Sequence, residues 1–108
     1  MLVYKILRGP EWAELEAAGE SLGAPVDRAD GFVHFSTAGQ LPETLAKHFA
    51  GETGLVVLAV GADPDGGGGF AWEPSRGGAL FPHLYRPLRR AEILWSRPLE
   101  EIDVEALA

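Results

Sequence analysis

The sequence contains no cysteine among its 108 residues. This absence excludes disulfide bridges, a thiolate nucleophile and zinc held by cysteine. No apolar run approaches the roughly 20 residues that a transmembrane helix needs. The segment Met1–Leu7 lacks the cationic start and the long apolar run of a signal peptide. We therefore expect a cytoplasmic protein that does not associate with membranes.

Basic residues are few, and nine lysines and arginines against sixteen acidic residues give a formal net charge of -7. Phosphate backbones repel an acidic protein, so we expect no non-specific binding to nucleic acid. Positive charge is concentrated in one segment with a single acid, Glu92. Its arginines are Arg76, Arg86, Arg89, Arg90 and Arg97. This segment predicts either a site for a small phosphate-bearing ligand or a solvated strand edge.

The composition is typical of one globular domain, which we assign to residues 1–108. Hydrophobic residues make up 46% of the chain and charged residues 23%, and the length is that of one ordinary domain. About six strands and two helices are predicted, with both helices in the N-terminal half. Because strands and helices do not alternate, the pattern favours the α+β class. The sequence leaves the oligomeric state open.

The element boundaries follow from apolar patterning and from glycine and proline positions. Strands are predicted at Leu2–Leu7, Phe32–Phe35, Leu55–Val60, Phe70–Glu73, Leu80–Leu84 and Arg90–Trp95, and helices at Gly9–Gly19 and from Thr37 to Gly51. Ser21–Asp30 is predicted to be an irregular connection, and Gly61–Gly69 a surface loop. Pro82 favours an edge position or an extended loop for its segment, because proline cannot donate to a neighbouring strand.

Three histidines are candidates for chemistry, and each has a plain structural alternative. Alternation places His34 on one strand face with Phe32 and Ser36, so it either lines a pocket or is a satisfied core histidine. His83 follows a proline, and its rigid placement suits a ligand wall or simple edge-strand packing. His48 is predicted to face solvent. The three lack the spacing of a ligand pair, so we expect no metal.

Further candidates lie beside these histidines. A carboxylate next to an indole can be desolvated, so Glu73 beside Trp72 is either an acid or base of raised pKa or a surface glutamate. Ser36 lies in a predicted strand-to-helix turn, where it caps the helix or contacts a phosphate at its N-terminus. Thr37 and Gln40 fit a capping box.

Several of these strings together resemble a bacterial family known as domain of unknown function 952. The matching strings are Gly31–Thr37 with Gln40, Trp12, Phe49 with Gly51, Trp72-Glu73, and Phe81–Tyr85 with Pro87-Leu88. The resemblance covers nearly the whole chain. One departure is Tyr4-Lys5-Ile6, since members of the family usually have Tyr-His-Ile there. A histidine that could contribute to a pocket is therefore replaced by Lys5.

That resemblance implies a fold and a ligand. The family is similar to proteins of the ADP-ribosyltransferase-like fold, and nearest to the RNA 2′-phosphotransferases, whose His-Val-His-Leu-Ser strand is similar to Phe32–Ser36. The implied fold is a pair of small twisted antiparallel sheets around a cleft that holds NAD. By the same resemblance, His34 and Ser36 would contact the nicotinamide-side ribose and the amide region, and Tyr85 or Phe81 would stack on a ring.

The leading functional hypothesis is an NAD-cleaving enzyme that transfers ADP-ribose to an unknown acceptor. It assigns catalysis to His34, Glu73 and His83, with Glu73 supplying negative charge near the sugar. Cofactor binding is assigned to Ser36, Thr37, Phe81, Tyr85 and Arg86. The alternative is a non-catalytic domain that binds a nucleotide or small metabolite in the same cleft, which the replacement by Lys5 favours. A metal-dependent enzyme using the three histidines and a protein–protein adaptor are further alternatives.

Overall fold

The computed structural model describes residues 1–107, except for the side chain of Arg76. The predicted contribution of the Arg76 side chain to a cationic site, and residue 108 of the assigned domain, therefore lie outside the described residues. Three antiparallel sheets are formed, in the orders β1-β4-β8, β2-β7 and β3-β6-β5. The strands are β1 (Leu2–Arg8), β2 (Glu20–Ser21), β3 (Val33–His34), β4 (Leu55–Gly61), β5 (Phe70–Pro74), β6 (Leu80–Leu84), β7 (Leu88–Arg89) and β8 (Ile93–Pro98). The helices are α1 (Gly9–Ala18), α2 (Pro25–Asp30) and α3 (Leu41–His48). The predicted α+β class with small antiparallel sheets is confirmed.

The central sheet is covered on both faces, as the valine-rich run in β4 predicts. Strand β4 pairs with β1 over seven residues and with β8 on its other side. Because side chains alternate along a strand, Leu58 and Val60 enter one apolar cluster, whereas Val57 and Ala59 enter a second. The first cluster lies towards the third sheet, and the second packs against α3 and the chain's C-terminal turns.

Helix α2 corrects the expected irregular connection at Ser21–Asp30. Pro25 occupies the first turn, where its missing N–H costs no hydrogen bond, and Gly31 ends the helix with a φ of +86°. The Asp27 side chain accepts the Ala24 N–H at 2.7 Å, which satisfies a backbone donor at the helix start. Residues 20–21 also form β2. The protein therefore has three helices in its N-terminal half rather than two.

Strand β6 is central in its sheet, so the edge position expected from Pro82 is wrong. It pairs with β5 over five residues and with β3 on the other side. The Phe35 N–H donates to the Pro82 carbonyl at 3.0 Å. The N and O of one residue point to the same neighbouring strand, and Pro82 has no N–H. Only the hydrogen bond that Pro82 would return to the Phe35 carbonyl is therefore missing. The ladder with β3 ends one residue earlier, at the pair His34 and His83, so the proline is tolerated.

A backbone bridge ties the central sheet to the third sheet. The Tyr4 N–H donates to the Ser36 carbonyl at 2.8 Å, and the Ser36 N–H donates back to Tyr4 at 2.9 Å. The bridge brings the middle of β1 beside the end of β3. Lys5 on β1 and His34 on β3 are thereby placed in the same region of the molecule.

Candidate functional site

A cleft of about 670 Å³ opens where β1, β3, β6, α2 and α3 meet. Its wall includes Lys5, His34, Ser36, Phe81 and His83. The volume lies within the range of roughly 300–1,000 Å³ that is usual for small-molecule sites. Four of the eight residues that the sequence assigns to catalysis or cofactor binding thus line one cavity.

His34 and His83 face each other as cross-strand partners of β3 and β6. Their ring centroids are 5.4 Å apart. The Phe32 ring stacks on the His83 ring, with 4.2 Å between their centroids, and its centroid is 4.5 Å from that of the His34 ring. Phe32 and His34 share one strand face, as their alternation predicts. The Phe32 ring therefore packs against both imidazole rings and helps to fix their positions.

Asp27 orients His34 from behind. Its Oδ1 lies 2.6 Å from His34 Nδ1 and accepts the His34 backbone N–H at 2.9 Å. Its Oδ2 pairs with the Lys5 ammonium at 2.7 Å and accepts the Ala24 N–H. An ionised carboxylate only accepts hydrogen bonds, so His34 donates from Nδ1 and its Nε2 is on the side of the cleft.

The electrostatics of this group keep Asp27 ionised. Burial by itself would raise the pKa of Asp27, but the hydrogen bonds from His34 and the charge of Lys5 outweigh it and lower the pKa to about 2. Burial also lowers the pKa of Lys5 below its usual value, and the pairing with Asp27 opposes that shift. The pair is therefore a buried ion pair whose carboxylate also holds a histidine.

A second carboxylate lies on the cleft side of His34. Asp30 Oδ2 is 3.0 Å from His34 Nε2, and the Asp30 side chain is 47% exposed. Carboxylates near both ring nitrogens suit a His34 that carries a proton on each. Asp30 also lines the cleft, so it offers negative charge to a ligand where the sequence expected Glu73.

His83 is oriented by Glu73, which lies outside the cleft wall. Glu73 Oε1 is 2.7 Å from His83 Nδ1 and accepts the Tyr85 hydroxyl at 2.6 Å. The hydrogen bonds from Tyr85 and His83 lower the pKa of Glu73, so the raised pKa expected beside Trp72 is wrong. The His83 side chain is 6% exposed, and no residue in the described part of the chain pairs with its Nε2. Glu73 is thus connected to the cleft through His83.

The remaining predicted binding residues divide between the cleft and its surroundings. Phe81 and Ser36 line the cleft, and the Ser36 hydroxyl lies 2.9 Å from that of Thr44. Thr37 instead forms the predicted capping box: its N–H donates to the Gln40 side chain, and its hydroxyl accepts the Gln40 N–H. Tyr85 is half exposed beside Glu73 and does not line the cleft.

Arg86 lies away from the cleft, beside the glycine-rich loop. Its guanidinium makes two hydrogen bonds to Glu92, at 2.7 and 2.9 Å, and a further one to the Gly68 carbonyl. The hydrogen bonds that Arg86 donates to Glu92 raise the pKa of Arg86. Its charge is therefore engaged within the protein, on a different surface from that of the two histidines.

The sequence interpretation missed Asp27 and Asp30, and it took Lys5 for a loss. Both aspartates lie in the segment expected to be irregular. The signal that was available is Pro25 followed by a glycine six residues later, a spacing that fits one short helix. The contact between Asp27 and His34 has no counterpart in local sequence, because it depends on how α2 packs beside β3.

Residues 1–107 have neither a cluster of metal ligands nor a membrane-spanning helix. This part of the chain contains no group of three or more His, Asp or Glu side chains placed to hold a metal ion. It also contains no helix with the length and apolar character needed to span a bilayer.

The comparisons with known proteins give one matching family model and one similar protein of known structure. The model of the family described as protein of unknown function (DUF952) matches residues 6–96. The crystal structure of protein CC0527 from Caulobacter crescentus is similar over 99% of this chain and 92% of its own, with 48% identity and a TM-score of 0.86. Its solution NMR structure matches 91% and 84%, with 51% identity and a TM-score of 0.80. No curated protein matches the chain.

Proposed function

We propose that this chain, which belongs to the DUF952 family, is an enzyme that binds a nucleotide in its cleft and acts on it through His34 and His83. The observation that carries the proposal is the pair of facing imidazoles, each fixed at Nδ1 by a carboxylate, in the wall of one cavity. Histidines oriented in this way are suited to moving protons near neutral pH.

NAD is the proposed nucleotide, and cleavage of its nicotinamide–ribose bond is the proposed reaction. The support is the resemblance of Phe32–Ser36 to the strand of the ADP-ribosyltransferase-like enzymes, together with a cleft of suitable size. Neutral nicotinamide leaves as the bond breaks, and positive charge develops on the ribose. The Asp30 carboxylate lines the cleft and would stabilise that charge.

The two histidines have different parts in this reaction. His83 has its Nδ1 taken by Glu73, so in the neutral ring Nε2 is the acceptor. It would take the proton of the attacking acceptor, which is water or the hydroxyl of an unidentified molecule. His34 is held at Nδ1 by Asp27 and at Nε2 by the partly exposed Asp30. It would position the ribose by exchanging Asp30 for a ribose hydroxyl at Nε2.

The test is a calorimetric titration of the purified protein with NAD, followed by an assay of the same sample for free nicotinamide. Saturable binding with release supports the proposal. Saturable binding without release contradicts an enzyme and supports the alternative, a non-catalytic nucleotide-binding domain. The absence of any binding contradicts NAD as the ligand.

Two variants then assign the residues. His83→Asn is expected to lower the rate of nicotinamide release by about 10²–10⁴-fold, the usual value of a proton-transfer group. His34→Ala is expected to keep the fold and to weaken NAD binding by about 1–3 kcal/mol through a lost hydrogen-bond partner. Lys47→Met, on the exposed side of α3, is the control. Wild-type turnover and affinity in both histidine variants would rule out these roles.

A further inference from the structure

We infer that Lys5 forms an oxyanion subsite in the cleft, which binds a phosphoryl group of the ligand. The inference rests on the proposed function, because it names the part of the nucleotide that the cleft holds. It gives a role to a buried lysine that the proposed reaction does not use, and its test is independent of turnover.

Lys5 has an enclosed position in the wall of the cleft. Lys5 lies in the middle of β1, next to the bridge that joins the two sheets. It lines the cleft although its side chain is only 6% exposed. Lysine is almost never buried to this extent without a partner. A cation so enclosed, at the wall of a cavity, interacts strongly with an anion that enters, because little water screens the charge.

The hydrogen-bond capacity of Asp27 is filled, whereas that of Lys5 is not. A carboxylate has about four acceptor positions. Asp27 uses them for the N–H of Ala24, the N–H and ring of His34, and one proton of Lys5. Lys5 has three donors, and Asp27 is its only hydrogen-bond partner within the described part of the chain. Two ammonium donors are therefore available to a ligand.

The cations of the cleft wall differ in how many carboxylates pair with them. Asp27 is shared between Lys5 and His34, and Asp30 is a second carboxylate beside His34. Arg8, another cation of the cleft wall, is already paired with Glu11 and Glu52. Lys5 is thus the cation of the cleft wall that has one carboxylate partner and shares that partner with a histidine.

A phosphoryl group is the anion that the proposed nucleotide brings to the Lys5 donors. The Lys5 ammonium and the His34 ring are bound to the two oxygens of one Asp27 carboxylate, so both lie at the same corner of the cleft. His83 is the cross-strand neighbour of His34, and the centroids of the two rings are 5.4 Å apart. A phosphoryl group of that nucleotide offers oxygens to the two remaining protons of the Lys5 ammonium.

The first experiment follows the Lys5 Nζ of the wild-type protein by ¹⁵N NMR during titration with inorganic phosphate. We expect a saturable shift at Lys5 and none at Lys47, an exposed lysine paired with Glu43. A parallel titration with acetate tests the geometry. An unchanged Lys5 signal, or an equal response to acetate, would overturn the phosphoryl subsite.

The second experiment compares AMP with adenosine by calorimetry, since the two differ only in the phosphate. The wild-type protein is expected to bind AMP about ten- to hundredfold more tightly, as for hydrogen bonds to a charged group. In Lys5→Met this preference should disappear, whereas Lys47→Met should keep it. A preference retained in Lys5→Met, or absent from the wild type, overturns the inference.

The outcomes separate this inference from the proposed function and identify the source of the phosphate. If Lys5→Met fails to fold, the NMR titration of the wild type decides. Inorganic phosphate that binds as tightly as AMP supports the subsite but contradicts a nucleotide ligand. Release of nicotinamide by a protein that shows no phosphate effect at Lys5 leaves the enzyme proposal standing and removes the subsite.

Discussion

Asp27 is the residue on which the site depends, because one carboxylate fixes a lysine, a histidine and the start of a helix. Replacing it with asparagine leaves the Lys5 ammonium buried without its counter-charge. We expect Asp27→Asn to lower the free energy of unfolding by about 3–5 kcal/mol, as when one partner of a buried ion pair is removed. Urea unfolding at pH 7 measures this. Glu14→Gln, at an exposed ion pair with Arg28, should change stability by less than about 1 kcal/mol.

The same residue predicts how stability depends on pH. The pKa of Asp27 is about 2 in the folded protein, against 3.8 as its ordinary value. Because the folded value is the lower one, this contribution is complete above pH 4 and is lost as the pH falls towards 2. The loss amounts to roughly 2 kcal/mol. Urea unfolding at several pH values should show it in the wild type, and Asp27→Asn should lack this part. An equal acid loss in both would contradict the assignment.

At the scale of elements, α2 is the element that places this carboxylate, and its entry depends on Gly23. Gly23 has a φ of +92°, and a Cβ there would lie 2.8 Å from Asp27 Cγ. The Asp27 side chain cannot move aside without losing its partners. Gly31 has a similar φ of +86°, but a Cβ there would meet nothing within 4 Å. The two glycines therefore share the backbone requirement and differ in the contact.

We expect Gly31→Ala to cost about 1 kcal/mol from backbone strain alone, and Gly23→Ala to cost about 1–3 kcal/mol more because of the added crowding. Urea unfolding of the two variants gives the difference. Gly23→Ala should also shift the NMR signals of the His34 ring, whereas Gly31→Ala should leave them in place. Equal losses of stability would show that Asp27 does not constrain this turn.

At the scale of the whole molecule, the central sheet joins the two apolar clusters. Adjacent residues of β4 belong to opposite clusters, so neither cluster can lose its packing while β4 stays paired. Trp72 packs against the first cluster and Trp95 against the second. The chain should therefore unfold as one cooperative unit, in agreement with the single domain expected from its length.

Fluorescence of single-tryptophan variants tests this cooperativity. One variant keeps Trp72 and the other keeps Trp95, with phenylalanine at the remaining tryptophan positions. Each variant is followed in urea by its own fluorescence and by far-ultraviolet circular dichroism. Within each variant the two probes should give the same midpoint. A fluorescence midpoint that departs from the circular dichroism midpoint would show that the two clusters unfold separately.

Local sequence determined the features that depend on neighbours in the chain. The alternation in Phe32–Ser36 placed His34 and Ser36 on the cleft side, the spacing of Thr37 and Gln40 gave the capping box, and the valine run gave the central strand. In each case the deciding interaction spans at most four residues or follows from the period of a strand.

Tertiary structure decided everything that joins distant segments. Pro82 lies in a central strand because β3 is too short to need its missing donor, and Glu73 is held ionised by Tyr85 and His83 rather than desolvated by Trp72. Lys5 and Asp27 are 22 positions apart, and nothing local to either residue indicates the ion pair. A sequence pattern reports which face a side chain takes, whereas the partner on that face depends on how the sheets and α2 pack.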